Sequence, residues 1–176
     1  MTAIVSLKGS LEPLRWYFND NEGMPRFLAL VSPTCSTCLR GLRAVRSIVE
    51  DASISSEVLF IITWIDMLGR DNERTAARAS RQFIDGSLVK EFHDPTRVAG
   101  REIARSIGGE GKVAWDTYLV YEPKAVWLNE PPTPYDWVHQ LRVCEWADAR
   151  RLHRGRALST SVGNMLRRLM EDEGTA

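Results

Sequence analysis

The sequence has little cysteine: three residues in 176, an odd number and too few for the disulfide framework of a small secreted domain. It has no surplus of charge, because 23 Lys and Arg balance 23 Asp and Glu, so no overall field draws the chain to nucleic acid or to an anionic membrane surface. No stretch approaches the roughly 18 consecutive apolar residues that a membrane-crossing helix needs. The start, "MTAIVSLKGSLEPLRWYFND", lacks a basic segment followed by an uninterrupted apolar run and a small-residue cleavage site. These absences predict a soluble cytoplasmic protein with neither a nucleic-acid nor a membrane partner. Repeats and low-complexity tracts are missing too. A chain of 176 residues suffices for one real core and is short for two ordinary ones, so residues 1–176 are expected to form a single domain.

What is present alternates between two periodicities. "RFLALV" (Arg26 to Val31) and "VLFIITW" (Val58 to Trp64) are nearly continuous apolar runs rich in β-formers, which predicts strands covered on both faces. Leu39, Leu42, Val45, Ile48 and Val49 recur at helical spacing between them, and Leu11, Leu14, Tyr17 and Phe18 predict a short leading helix with Pro13 in its first turn. "DNERTAARASRQF" (Asp71 to Phe83) reads as a helix that stops near Gly86, and "VKEFHD" as a short strand. Asp94 can cap "PTRVAGREIARSIG", a helix with proline first and glycine last. "WDTYLVYEPKAVWLNE" breaks at Glu122-Pro123 into two β-rich halves, which predicts a hairpin or two adjoining strands. After a proline-rich link, a short helix is expected around Trp137 to Leu141 and a final helix near Ser161 to Met170.

The chemistry concentrates in "SPTCSTCLRG" (Ser32 to Gly41), where Cys35 and Cys38 stand at the first turn of the second helix. A Cys-x-x-Cys pair in a reducing compartment carries either redox or metal chemistry. A free thiol with a pKa of about 8.5 is only a few per cent ionised at neutral pH, and a helix N-terminus can lower that value to between about 3.5 and 7.5. The third cysteine, Cys144, reads as an inert, half-buried small hydrophobe.

The combination of "FLALVSPTCSTC" with the order strand, Cys-x-x-Cys helix, strand, helix, strand, helix and paired strands resembles the thioredoxin-like superfamily. The resemblance covers about residues 25–130. The inserted helix-strand unit between Asp71 and Asp94 is similar to that of the longer thiol-disulfide reductases, and "AWDTYLVY" and "DWVHQL" are similar to stretches of bacterial thioredoxin-like proteins with no assigned substrate. It implies a three-layer α/β fold, a central mixed sheet flanked by helices, with a C-terminal helical extension over 131–176. It implies a thiol-disulfide oxidoreductase in which Cys35 is the exposed attacking thiol and Cys38 the resolving one. Partners would be protein or small-molecule disulfides and thiols, without a cofactor. Pro33, Thr34, Ser36, Thr37, Arg40, Trp115, Asp116 and Thr117 would bind substrate or modulate the thiols.

Three departures from the family pattern bear on mechanism. The buried acid that redox-proficient members often carry six residues before the first cysteine is here Ala29, so another residue or water must move the proton. The residues between the cysteines are Ser36 and Thr37, which leaves the direction of electron flow open. The family's cis-proline loop falls at "AWDTYL", where Asp116 replaces proline. A cis bond before a non-proline residue costs about 3–4 kcal/mol, so this loop is expected to be trans or remodelled. An ionised Asp116 roughly 5 Å from a thiolate would oppose it by about 3 kcal/mol at an effective dielectric near 20. A bound cation would relieve that opposition, and a second reading therefore places zinc or a soft metal on Cys35 and Cys38 with Asp116 or His139. A third reading is a non-catalytic thioredoxin-like interaction domain. A Pro-x-x-x-Thr start like that of peroxiredoxins (Pro33, Thr37) fails, because their reactive cysteine would fall at Arg40. "GGEGK" lacks phosphate-loop spacing, and "RRLHRGR" reads as a solvated basic run.

Overall fold

The apolar runs become the interior of one sheet. In chain order the elements are β1 (Val5–Ser6), α1 (Glu12–Asp20), β2 (Arg26–Val31), α2 (Ser36–Val49), α3 (Ala52–Ser55), β3 (Leu59–Ile65), α4 (Glu73–Phe83), β4 (Val89–Asp94), α5 (Val98–Ser106), β5 (Thr117–Tyr121), β6 (Asp136–His139) and α6 (Arg156–Gly174). The computed structural model describes residues 3–83, 88–142 and 144–174, so the expected stop near Gly86 lies outside the described residues. The strands lie in the order β1-β4-β3-β2-β5-β6. β1 to β4 pair in parallel, whereas β5 runs antiparallel to β2 and β6 antiparallel to β5. This is the expected three-layer α/β arrangement with a mixed sheet.

Strand alternation divides the core in two. Phe27, Ala29, Val31, Phe60, Ile62, Trp64, Tyr118 and Val138 face one side, under α2, α4 and α6. Leu28, Leu30, Ile61, Ile65, Leu119 and Trp137 face the other, under α1 and α5. Cys38 belongs to the first side and Cys144 packs at the margin of the second. Among the described residues no helix is long and apolar enough to cross a membrane.

Three expectations need correction, and one strand was not expected. "WVHQL" is not a helix: Asp136–His139 is the edge strand β6, and Tyr118 and Val138 stand opposite each other in its pairing with β5. The hairpin at Glu122-Pro123 does not form, because Asn19 of α1 occupies the backbone of Trp127 instead, donating to its carbonyl at 2.8 Å and accepting from its amide at 2.9 Å. Helix α5 starts at Val98, three residues after Pro95; Asp94 does cap it, accepting from the amides of Val98 (3.0 Å) and Ala99 (2.8 Å). The two-residue β1 is too short to leave a pattern in the sequence.

The basic run Arg150 to Arg156 is largely spent on internal ties. Arg151 binds Asp136 (2.6 Å) and the carbonyl of Trp137, Arg150 binds Asp148, and Arg154 holds the carbonyl of Gln140.

Candidate functional site

β2 runs out at Val31 and the chain turns through Ser32, Pro33 and Thr34 into α2. Cys35 is the N-cap: its backbone is extended (φ −80°, ψ 114°), and its sulfur accepts a hydrogen bond from the Cys38 amide at 3.4 Å. A sulfur in that position sits where the unpaired amides of the first turn point. Cys35 is half-buried and Cys38, one turn further in, is fully buried.

The turn is buckled from outside by Asp71. One of its carboxylate oxygens accepts from the Ser32 hydroxyl (2.7 Å) and from the amides of Met67 (2.9 Å) and Leu68 (2.7 Å). The other accepts from the amide and hydroxyl of Thr34. Sequence reasoning placed Asp71 only at a helix start. The cluster of hydrogen-bonding residues at the end of β2, facing an aspartate that precedes α4, was the available signal.

Facing the cysteines from the other side is Asp116, in the left-handed region at φ +49°, with its peptide bond trans as expected. Aspartate tolerates this conformation better than most side chains. Only 2% exposed, it accepts hydrogen bonds at one carboxylate oxygen from the Gln140 amide (2.7 Å) and the Tyr118 hydroxyl (3.1 Å). Gln140 also donates to the carbonyl of Thr37 (3.1 Å), joining this loop to the first turn of α2. The sulfurs of Cys35 and Cys38 and a carboxylate oxygen of Asp116 lie within 4.8 Å of one another.

The other residues nominated from sequence divide. Pro33 and Thr34 form the buckled turn; Ser36 is exposed and Thr37 half-buried on α2. Trp115 packs at the edge of the same core cluster as Cys35, and the Thr117 hydroxyl donates to the Trp115 carbonyl (2.9 Å). Arg40 is exposed and its guanidinium reaches back to the Thr37 hydroxyl (3.4 Å). His139 does not join the thiols. Its side chain follows Trp137 to the opposite face of the sheet, where one ring nitrogen meets the Asp148 carbonyl (3.1 Å) and the other accepts from the Leu141 amide (3.1 Å). The adjoining Gln140 is the one that reaches the site.

Electrostatics separate the two thiols. Cys35 is lowered to about 6, chiefly by a hydrogen bond from the Cys38 side chain, then by the Cys38 and Thr37 amides, against burial and the charge of Asp116. Burial pushes Cys38 well above the usual cysteine range, with Cys35 and Asp116 adding to the effect. Burial also raises Asp116, against the hydrogen bonds it accepts. In chelator-treated, reduced protein, the rate of Cys35 alkylation by iodoacetamide is therefore expected to reach half its plateau near pH 6. Asp116→Asn removes the opposing charge, so the midpoint should move lower. A midpoint near the ordinary thiol value of about 8.5 would contradict the assignment of Cys35 as the ionised partner.

With this geometry in view, the fold is thioredoxin-like. Among solved structures similar to the chain is a candidate electron-transfer protein from Aquifex aeolicus VF5, at 14% identity and a TM-score of 0.55, over 84% of this chain and 82% of that one. Another is a SCO1/SenC family lipoprotein from Bacillus anthracis, at 10% identity and a TM-score of 0.51, over 86% and 84%. A thioredoxin-like protein in its oxidised form matches at 8% identity and a TM-score of 0.50, over 82% and 79%. No family model matches the sequence, and no curated protein matches it.

Proposed function

We propose that the protein is a thiol-disulfide oxidoreductase acting on protein or small-molecule disulfides. The observation that carries this reading is the pairing of a half-exposed, acidified Cys35 at a helix start with a buried Cys38 one turn behind it. The description of the Aquifex neighbour as an electron-transfer protein agrees with it.

The Cys35 thiolate attacks one sulfur of a substrate disulfide R–S–S–R′, forming a mixed disulfide with R and releasing R′S⁻. Cys38 then gives up its proton and attacks the Cys35 sulfur, which releases RS⁻. Two electrons have passed to the substrate, now two thiols, and the protein holds the Cys35–Cys38 disulfide. Asp116, within 4.8 Å of both sulfurs, is placed to take the Cys38 proton, the task for which Ala29 has no group. A donor thiol reverses the sequence and restores the reduced pair, which the expected cytoplasmic setting would favour.

Equilibration of the chelated protein across a series of glutathione ratios, followed by thiol trapping and intact-mass measurement, tests this. The expected result is a single two-electron transition that involves Cys35 and Cys38 and leaves Cys144 free. A pair that stays reduced across the whole series would refute the redox reading.

A further inference from the structure

We infer that the reduced protein binds one thiophilic divalent cation, zinc in the first instance, through Cys35, Cys38 and Asp116. This goes beyond disulfide exchange and stands on the arrangement of the three side chains. Zinc takes thiolate sulfur at about 2.3 Å and carboxylate oxygen at about 2.0–2.2 Å in tetrahedral sites, which sets the sulfurs roughly 3.8 Å apart and each sulfur roughly 3.5 Å from the oxygen. Here the three donor atoms lie within 4.8 Å of one another, so closure onto an ion asks for shifts of about 1 Å, within reach of side-chain rotation. Two cysteines separated by two residues at the head of a helix also have the spacing of a zinc-binding half-site.

The surroundings hold the carboxylate as a ligand needs to be held. One oxygen of Asp116 is fixed by Gln140 and Tyr118, and Gln140 is anchored in turn to the Thr37 carbonyl between the cysteines. Outer hydrogen bonds of this kind orient the ligands of metal sites. Two thiolates and a carboxylate bring three negative charges to a site that is buried on two of its three members; a divalent cation cancels two of them. Arg154, tied to the Gln140 carbonyl, faces Asp116 with a further positive charge. The fourth position lies on the half-exposed side, at Cys35, and is left to water or a substrate thiolate. His139 does not supply it, since its ring is engaged on the opposite face of the sheet.

Metal binding and disulfide exchange then compete for the same electron pairs. A substrate disulfide that oxidises the two bound thiolates forms the Cys35–Cys38 bond, is itself reduced to two thiolates, and releases the divalent ion unchanged in charge. The ion would protect the resting thiols and leave when a disulfide is reduced.

Native mass spectrometry of the full chain tests this with zinc alone as the probe, and cobalt(II) absorption as a second readout. The reduced protein should take up one zinc, show the thiolate-to-cobalt charge-transfer band with cobalt, and lose either ion on oxidation. Gln140→Leu should weaken zinc binding by about tenfold, the scale on which outer-shell partners act, and Asp116→Asn, which replaces a direct ligand, should weaken it further than Gln140→Leu. His139→Gln should leave it unchanged. Failure of the reduced protein to bind zinc, equal binding by the oxidised protein, or full binding by Cys35→Ser would each overturn the inference. The oxidised wild-type chain supplies that comparison without any substitution that could perturb folding. Because the glutathione titration is run with chelator, a disulfide without zinc uptake would refute the metal site alone.

Discussion

Replacing Cys38 by serine is expected to turn the protein into a trap, in which Cys35 stays joined to its substrate as a mixed disulfide. Cys35 keeps the helix start, the neighbouring amides and access to solvent, and the serine hydroxyl can donate in place of the Cys38 side chain, the hydrogen bond that does most to lower Cys35. What is lost is the second sulfur, and a serine hydroxyl does not displace a thiolate from a disulfide at neutral pH. Cys35→Ser should instead lower disulfide-reducing turnover by roughly a thousandfold or more, to background, because no comparable nucleophile replaces the thiolate. Non-reducing electrophoresis with mass identification of the trapped thiol reads the first outcome, and a small-disulfide reduction assay reads the second. Substitution of Cys144, which packs against the core on the other side of the sheet, should change neither. Trapping through Cys144, or turnover that survives in Cys35→Ser, would place the chemistry elsewhere.

The second large effect concerns a residue with no reactive group. Gly41 lies in the middle of α2, one turn after Cys38. A methyl group there would come within 2.0 Å of the Tyr118 hydroxyl and 2.3 Å of the Gln140 amide nitrogen. Both atoms belong to buried side chains that hold Asp116, so the clash cannot be relieved without disturbing the carboxylate. Overpacking of this kind costs about 1–3 kcal/mol. In a chain of this size that lowers the melting temperature by roughly 2–12 °C. Gly41→Ala should also move the pH midpoint of Cys35 alkylation, since Asp116 would no longer be held in place. Gly163 in α6 is the contrast: the three atoms nearest its added methyl all belong to the flexible end of Arg167, the first at 3.1 Å. There alanine should stabilise by about 0.5–1 kcal/mol through helix propensity. Equal thermal behaviour of the two variants would show that the Tyr118–Gln140 contact with α2 is not tight.

The interior strands were legible because burial on both faces wrote them as apolar runs, and α2 because one face of it is apolar at helical spacing. The pair Cys35 and Cys38 was legible for the same reason: a strand end and a helix start bracket it. What sequence could not supply was which face a short edge segment presents. Read as a helix, "WVHQL" nominated His139; folded as β6, alternation turns His139 away with Trp137 and brings Gln140 to the thiols. "AVWLN" has the composition of a strand, yet its backbone groups at Trp127 are satisfied by Asn19, more than a hundred residues earlier. Gly41 was hidden because a glycine inside a helix declares its purpose only when the side chains above it are known.

The carboxylate of Asp71 has a consequence for motion. Amides from the turn before Cys35 and from the loop after β3 all end on this one group, so neither segment can open while the other stays closed without stranding a charge-assisted hydrogen bond. In hydrogen exchange, the amides of Thr34, Met67 and Leu68 are expected to open together, with similar protection, because all three donate to the same carboxylate. The turn that carries Cys35 is thus tied to the loop that leads into the inserted helix, and Asp71 is a direct link between them.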